Sequence, residues 1–585
     1  DDLLAVWGVP GTQLGIAGGV AGDPVGGEAG DRRGVEAAFG VDRELARGCG
    51  GAGNKCRIDR ITTEIAGEQK PFTWGGACSL YDRGTGKKKL PDLAPDPFRR
   101  REEMVAELVR RMTEPRGGKR IALTDEFLLK ELFPFFLTFF RELGLDPVVP
   151  GAGTHATLKR GIEGSNVPFC APMQMYHGIV SSLVGGEADF LFLPMLRDIP
   201  RAGAEPHSVT CPIEQGSADL LRRDLGAGNA GPAIVSPVLD AAHPRSPAFA
   251  RACAELARTL GAGDRWEAAY AAALLEDERF GAACLALGRD ALAFCAREGV
   301  VPVVVLGRGY TVYNTVLNSN VPALLREQGT IAIPLDCYPV DADVPVFRDI
   351  YWGHSQRALR AAHAVRRTPG VYSLFCSNYS CGPDSFTTHF YAYIMAGKPY
   401  AVIETDGHSG DAGTKTRIEA FLYCVRQDLA GAGDAAGPLN SLRAVEEDRT
   451  AARDVIGTDT TVLVPWLSEA TEAGSAVLRG VGLRAEPLWP EDAEALRLGR
   501  RHTSGKECLP VALTLGAFLQ RIQRGRPDER YLILMPRSDG PCRLGMYNVL
   551  QKIIVARLGL KDRGRVWSPS DSGYFAGLGA GFGAL

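Results

Sequence analysis

What most constrains this chain is a series of short, almost continuously apolar runs separated by helical patterns. Asp189–Leu196 (DFLFLPML), Val301–Leu306 and Tyr531–Met535 show no regular polar alternation. A strand with one wet face alternates apolar and polar side chains, whereas a strand covered on both faces does not. Double burial of this kind belongs to parallel sheets with helices on either side. Arg120–Leu123 and Asp146–Val149 bracket a helical stretch at Phe127–Leu143. Thr330–Pro334, Val371–Phe375, Tyr400–Glu404, Thr461–Pro465 and Leu483–Leu488 continue the series. The expected fold class is α/β, with several parallel-sheet modules.

Residues 1–40 are Gly-rich without periodicity and read as an irregular segment. Residues 41–115 form a Cys-containing segment with a Lys87-Lys88-Lys89 turn and helical periodicity only from Pro97. A first α/β module spans 116–300, with an Ala-rich helical insertion over 246–298. A second spans 301–430, and a third spans 455–585 after a linker near 428–455. The third resembles the earlier two in plan, which points to related domains, and it is expected to be truncated. With 585 residues, 45% of them hydrophobic, the chain has material for several buried cores.

Fourteen cysteines in a chain this long do not suit a small disulfide scaffold. Six lie within two residues of a proline: Cys170-Ala-Pro172, Cys211-Pro212, Cys337-Tyr-Pro339, Cys381-Gly-Pro383, Cys508-Leu-Pro510 and Pro541-Cys542. Proline is favoured in the first turn of a helix, so the residue before it meets free N–H groups and the positive dipole end. Such a place is expected to lower a thiol pKa and to suit an anionic, thiolate-ligated centre. In open α/β sheets it is also the edge where ligands bind. Cys253, Cys284, Cys295 and Cys424 lie inside helical patterns without such a flank and read as small apolar residues. Cys337 and Cys376 are open to either reading. No CxxC pair and no ferredoxin-type run occurs, so neither a zinc knuckle nor a local ferredoxin loop is indicated. Cys170, Cys211 and Cys381 are expected to hold an iron–sulfur cluster assembled between modules, with one iron open or held by another group.

Gly407–Thr416 (GHSGDAGTKT) looks like a phosphate loop, but Thr414 intervenes before Lys415 and the GxxxxGK[ST] spacing fails. Lys415 and Arg417 fit better on the first turns of a helix running to Leu422. The chain alone is expected to bind ATP poorly and to lack ATPase activity.

Longer strings around these residues resemble a known family. VPFCAPMQMYHG (167–178), TCPIEQG (210–216), LGRGYTVYNTVLNSNVPALLREQG (306–329), NYSCGPDSFTTHF (378–390) and KPYAVIETDGHSGDAGTKTRIEAFL (398–422) are similar to its first module. KECLPVALTLGAFL (506–519) and GPCRLGMYN (540–548) are similar to its second. This is the large activase-related group allied to 2-hydroxyacyl-CoA dehydratases, benzoyl-CoA reductases and double-cubane cluster proteins, and the resemblance covers roughly residues 100–585. It implies Rossmann-like modules, [4Fe–4S] or double-cubane [8Fe–9S] clusters, and electrons from an ATP-hydrolysing iron–sulfur activator, separate or fused N-terminally. It implies Cys170, Cys211 and Cys381 as ligands of a first cluster, Cys508 and Cys542 of a second, and Arg543 as an offset to cluster charge. The sequence departs from the family in four places, the first being that the phosphate-binding glycine motifs of the family's ATPase are missing. No Cys follows Cys542, Ala52 stands between Cys49 and Cys56 where a middle Cys would fall (with Cys78 as a third), and Gly309 replaces the proline of a GRPY-like string.

The leading reading is an electron relay from that activator to a small-molecule or acyl-CoA substrate at an open cluster iron. His177, Asn378 and Ser380 are candidates for a hydrogen-bond shell that tunes the cluster, and His177, His408 and Asp411 for proton transfer. The alternatives are a non-catalytic iron–sulfur scaffold or redox-sensing partner, and a zinc-stabilised binding protein. A dimer is compatible with each. A net charge of −3 offers no basic field for nucleic acid, and no apolar run reaches the ~20 residues that span a bilayer. The chain opens Asp1-Asp2 with no signal peptide, so the expected location is cytoplasmic.

Overall fold

The computed structural model describes residues 40–45, 57–65, 68–74, 90–91, 93–226, 231–405, 411–431, 440–450, 454–538 and 540–569. The chain divides into two compact units, Asp1–Lys89 and Leu90–Leu585. In the first, β1 (Gly40–Leu45), β2 (Arg57–Ile65) and β3 (Glu68–Trp74) form an antiparallel sheet in the order β1-β2-β3.

Among its described residues the second unit holds three four-stranded sheets, all parallel. The first contains β4 (Arg120–Ala122), β5 (Asp146–Val148), β6 (Phe190–Phe192) and β8 (Ala233–Val235), in the order β5-β4-β6-β8. Beside it, β7 (Met195–Asp198) and β9 (Val238–Asp240) pair as a short parallel ladder. The second contains β10 (Pro302–Leu306), β11 (Ile331–Pro334), β12 (Tyr372–Asn378) and β13 (Tyr400–Thr405), in the order β11-β10-β12-β13. The third contains β14 (Thr460–Val464), β15 (Arg484–Pro487), β16 (Arg530–Leu534) and β17 (Gly564–Trp567), in the order β15-β14-β16-β17. Counted within each sheet, all three run second, first, third, fourth. The direction of winding therefore reverses between the first and third strands, which opens a crevice outside their carboxyl ends.

The expected α/β class is what the chain adopts, and burial explains it. Val303, Val304, Val305 and Leu306 are each 0% exposed, as a run covered on both faces requires. The first sheet is covered by the helix Phe133–Glu142, whose Phe136 and Phe140 meet Phe192 of β6 at ring distances of 4.9 and 4.8 Å. The stretch Phe127–Leu143 is not one helix. A 3-10 turn at Phe127–Leu129, with Phe127 at φ 57°, precedes a helix that starts only at Phe133. Pro134 fixes that start, because proline fits a first turn and not a helix interior. Within 428–455, read as a linker, the structure places a helix at Leu442–Glu447 with Leu442 fully buried. Glu446 there accepts the backbone N–H groups of Arg348 and Asp349 at 3.0 and 2.8 Å.

A repeat inside the fold positions two of the cysteines. The helices His155–Gly164 and Ala171–Val184 cross so closely that a Cβ at Gly161 would lie 1.7 Å from the Gln174 carbonyl oxygen. The helices Ala493–Arg500 and Leu509–Arg524 repeat this, a Cβ at Gly499 falling 1.7 Å from the Ala512 oxygen and one at Gly516 falling 1.6 Å from that of Ala495. In both pairs a Cys-x-Pro string, at Cys170 or Cys508, opens the second helix. Backbone cannot yield to a methyl there, so Gly516→Ala is expected to cost roughly 1–3 kcal/mol or more, read as a lowered denaturant midpoint. An unchanged midpoint would mean that the helices part without cost.

Candidate functional site

The five cysteines singled out from the sequence occupy two equivalent places on the three sheets. Cys170 caps Ala171–Val184 between β5 and β6, and Cys508 caps Leu509–Arg524 between β15 and β16. Each connection joins the second and third strands of its sheet. Cys211 caps Pro212–Leu225 between β6 and β8, and Cys381 lies just ahead of Asp384–Met395 between β12 and β13. Cys542 caps the 3-10 turn Arg543–Met546 that leads into Tyr547–Arg557, between β16 and β17. These three join third to fourth strands, so all five face the crevice edge.

Cys170, Cys211 and Cys381 are half-buried and free. Were they ionised, Cys170 would be felt by both Cys211 and Cys381, and Arg308 by all three, so they lie in one neighbourhood. Cys211 Sγ accepts the Glu214 N–H at 3.4 Å, and Glu214 in turn accepts the Cys211 N–H at 2.9 Å, a reciprocal cap. Cys381 follows Ser380, a non-glycine residue held at φ 63°. Left-handed backbone of this kind is uncommon outside glycine and recurs at functional turns. The expected low thiol pKa is not found. Burial pushes all three thiols up, and the N–H groups of Met173, Glu214 and Asp384 offset this only in part. Free thiols so placed keep their protons, and a bound metal is what would draw them off.

Residues not selected from the sequence complete the neighbourhood. Arg308, buried, pairs with buried Asp384 at 2.6 Å, and Asp384 also accepts the Ser377 hydroxyl at 2.7 Å. Tyr310 packs edge-on against His354 at 5.7 Å, within reach of the charges of Cys211 and Cys381. His354 bridges two carboxylates, Nδ1 to Glu131 at 3.0 Å and Nε2 to Glu214 at 3.3 Å. Burial alone would raise the Glu214 carboxyl, but His354, Arg308 and the Cys211 N–H outweigh it and hold it at about 2. Arg308 and Tyr310 lie in the LGRGYTVYN string, which was a usable signal. His354 had none, since its partners are remote in sequence.

Other expected residues fall elsewhere. His177 is seven residues along its helix from Cys170, roughly 10 Å, and faces Asp224 at 3.5 Å. Asn378 donates to the Leu317 carbonyl and to Thr405 Oγ1, both at 2.9 Å, and pins the turn rather than facing the thiols. Ser380 is exposed. His408 lies outside the described residues, as do Cys49, Cys56 and Cys78; Asp411 opens the helix Asp411–Ala430, and its side chain is likewise outside them. Cys337 is buried against Cys284, and Cys376 is buried within β12.

The second set is close by. Cys508 Sγ and Tyr547 Oη are 2.6 Å apart, and Tyr547 also feels the charge of Cys542. Phe386, one turn beyond Cys381, stacks on Tyr547 at 5.8 Å, and the Arg543 chain lies against Gly382. Tyr351 donates to the Cys542 carbonyl while its own carbonyl accepts the Val209 N–H at 2.9 Å, which ties the Cys211 and Cys542 loops together. Beside Tyr547, an apolar cavity of about 360 Å³ opens between the ends of β14 and β16.

Among the described residues no three or more His, Cys, Asp or Glu side chains are grouped to hold one metal ion. The donors are nevertheless suited to an iron–sulfur cluster: soft sulfurs from separate sheet edges, with a guanidinium in reach of three. A cluster of several irons spreads its thiolates wider than a lone ion does.

The fold and these sulfurs define a multi-sheet α/β protein with a cysteine-lined crevice. Residues 120–338 match the model of a family described as a CoA enzyme activase uncharacterised domain, so the chain carries an activase-related domain over the first sheet and into the second. No curated protein matches the chain. Among the described residues no helix is long and apolar enough to cross a membrane.

Proposed function

We propose that this chain is an iron–sulfur electron-transfer protein that takes low-potential electrons from an ATP-hydrolysing activator and passes them to a small-molecule or acyl-CoA substrate. The observation that carries this reading is the convergence of Cys170, Cys211 and Cys381 with buried Arg308 at the carboxyl edge of two sheets. These three cysteines would hold a [4Fe–4S] cluster, and Cys508 and Cys542 would serve a second or a double-cubane [8Fe–9S] cluster. Such a group would supply one-electron chemistry, at a potential set by its charge, hydrogen bonds and exposure. Around it, Arg308 offsets negative charge and Tyr310 limits water. Glu214, His354 and the more exposed Glu131 form a carboxylate–imidazole–carboxylate cluster beside the thiols, with His354 at 3.0 Å from Glu131 and 3.3 Å from Glu214.

Anaerobic protein mixed with an iron–sulfur activator ATPase tests the electron path. Addition of ATP is expected to bleach the visible absorption of this chain, and omission of either activator or ATP to leave it unchanged. Equal spectra in all mixtures would contradict activator-driven electron entry.

A further inference from the structure

A cavity of about 270 Å³ opens at the start of β17, where Lys552, Lys561 and Arg565 face it together with Asp448, Asp562 and Gly564. It lies at the amino-terminal edge of the third sheet, the opposite edge from the cysteines. Lys552, on the helix Tyr547–Arg557, is only 7% exposed and makes no hydrogen bond or ion pair among the described residues. An ammonium this deep is normally paired. Every carboxylate near it is committed elsewhere or exposed. Asp349 pairs with Arg537 and, at 3.4 Å, with Arg449. Asp448 faces Lys561 at 3.7 Å, Glu446 accepts two backbone N–H groups, and Asp562 is exposed. Burial lowers the Lys552 pKa, as expected of a cation without a direct partner.

We propose that this cavity binds a phosphate-bearing anion, with Lys552 as its buried anchor and Lys561 and Arg565 closing over the exposed side. Three cations against two carboxylates leave an excess of positive charge in the cavity. A tetrahedral phosphoryl group offers oxygens in several directions to cations that approach separately, which a planar monocarboxylate does not. The site is independent of any group on the cysteines. Its anchor nevertheless shares a helix with Tyr547, the partner of Cys508, so a bound anion loads the element that holds that thiol.

Calorimetry and thermal melts of the full chain with inorganic phosphate and with glycerol 2-phosphate, at ionic strength matched with potassium chloride, test this. The expected result is a single site and a raised melting midpoint that chloride does not reproduce. Tighter binding of inorganic phosphate would assign the site to the free ion, and tighter binding of the ester to the phosphoryl end of a larger ligand. Lys552→Met should weaken binding at least ten-fold, and Arg565→Gln several-fold. Should Lys552→Met fail to fold, the exposed Arg565→Gln and Lys561→Gln variants decide the question. No binding by the wild-type chain, a chloride-like response, or unchanged affinity in the variants that fold would overturn the proposal.

Discussion

Replacing Asp384 by alanine is expected to destabilise the second unit by about 3–5 kcal/mol, the usual cost of leaving one half of a buried ion pair behind. Asp384 and Arg308 each have about 5% of their side chain exposed and meet at 2.6 Å, so the substitution strands a guanidinium. It also removes the acceptor of the Ser377 hydroxyl. The double variant Arg308→Met with Asp384→Leu removes both charges and should recover much of that loss. Urea melts of the wild type and the two variants check this. A loss below about 1 kcal/mol for Asp384→Ala would mean that the pair is solvated, in the manner of surface ion pairs.

The second large effect concerns the cysteines themselves. Cys381→Ser is expected to remove most of the iron and visible colour of anaerobically prepared protein, whereas Cys284→Ser should leave both near wild type. Cys381 follows a left-handed residue at the carboxyl edge of the second sheet, close to Arg308. Cys284 is buried inside the helix Trp266–Glu298, not at a helix start, and lies against Cys337 beyond the edge strand β11. A serine oxygen is a poor substitute for a soft thiolate at iron. Equal iron loss in both variants would show that position at the sheet edge does not select the ligands.

Much of the fold was legible because its signal is local. The all-apolar string Val303–Leu306 can only be a doubly covered strand, and it is. The Cys-x-Pro strings marked helix starts at Cys170 and Cys508 for the same reason, since proline is tolerated in the first turn. The matching glycines nine residues before and eight after each of these cysteines were also present in the sequence, but their meaning depends on a helix crossing that only the packed structure reveals. Contacts remote along the chain were not legible. Glu131, Glu214 and His354 come from three separate connections, and nothing in the neighbours of His354 announces its two carboxylates. The thiol pKa direction was misread because the helix-start N–H groups were weighed without the desolvation that opposes them. The stretch near 428–455 reads as a linker because its long-range contacts are likewise silent in the sequence. Within it the helix Leu442–Glu447 packs through buried Leu442 and Val445, its Glu446 carboxyl takes two backbone N–H groups, and burial beside Asp349 pushes that carboxyl's pKa up to about 8.

The most direct measurement is iron and acid-labile sulfide per chain, with zinc counted in the same samples, on protein purified without oxygen and followed by EPR after reduction. Iron and sulfide in comparable amounts, with a paramagnetic signal that appears on reduction and is lost in air, is the predicted result. Zinc without iron, or no bound metal after anaerobic reconstitution with iron and sulfide, would contradict an iron–sulfur electron-transfer function.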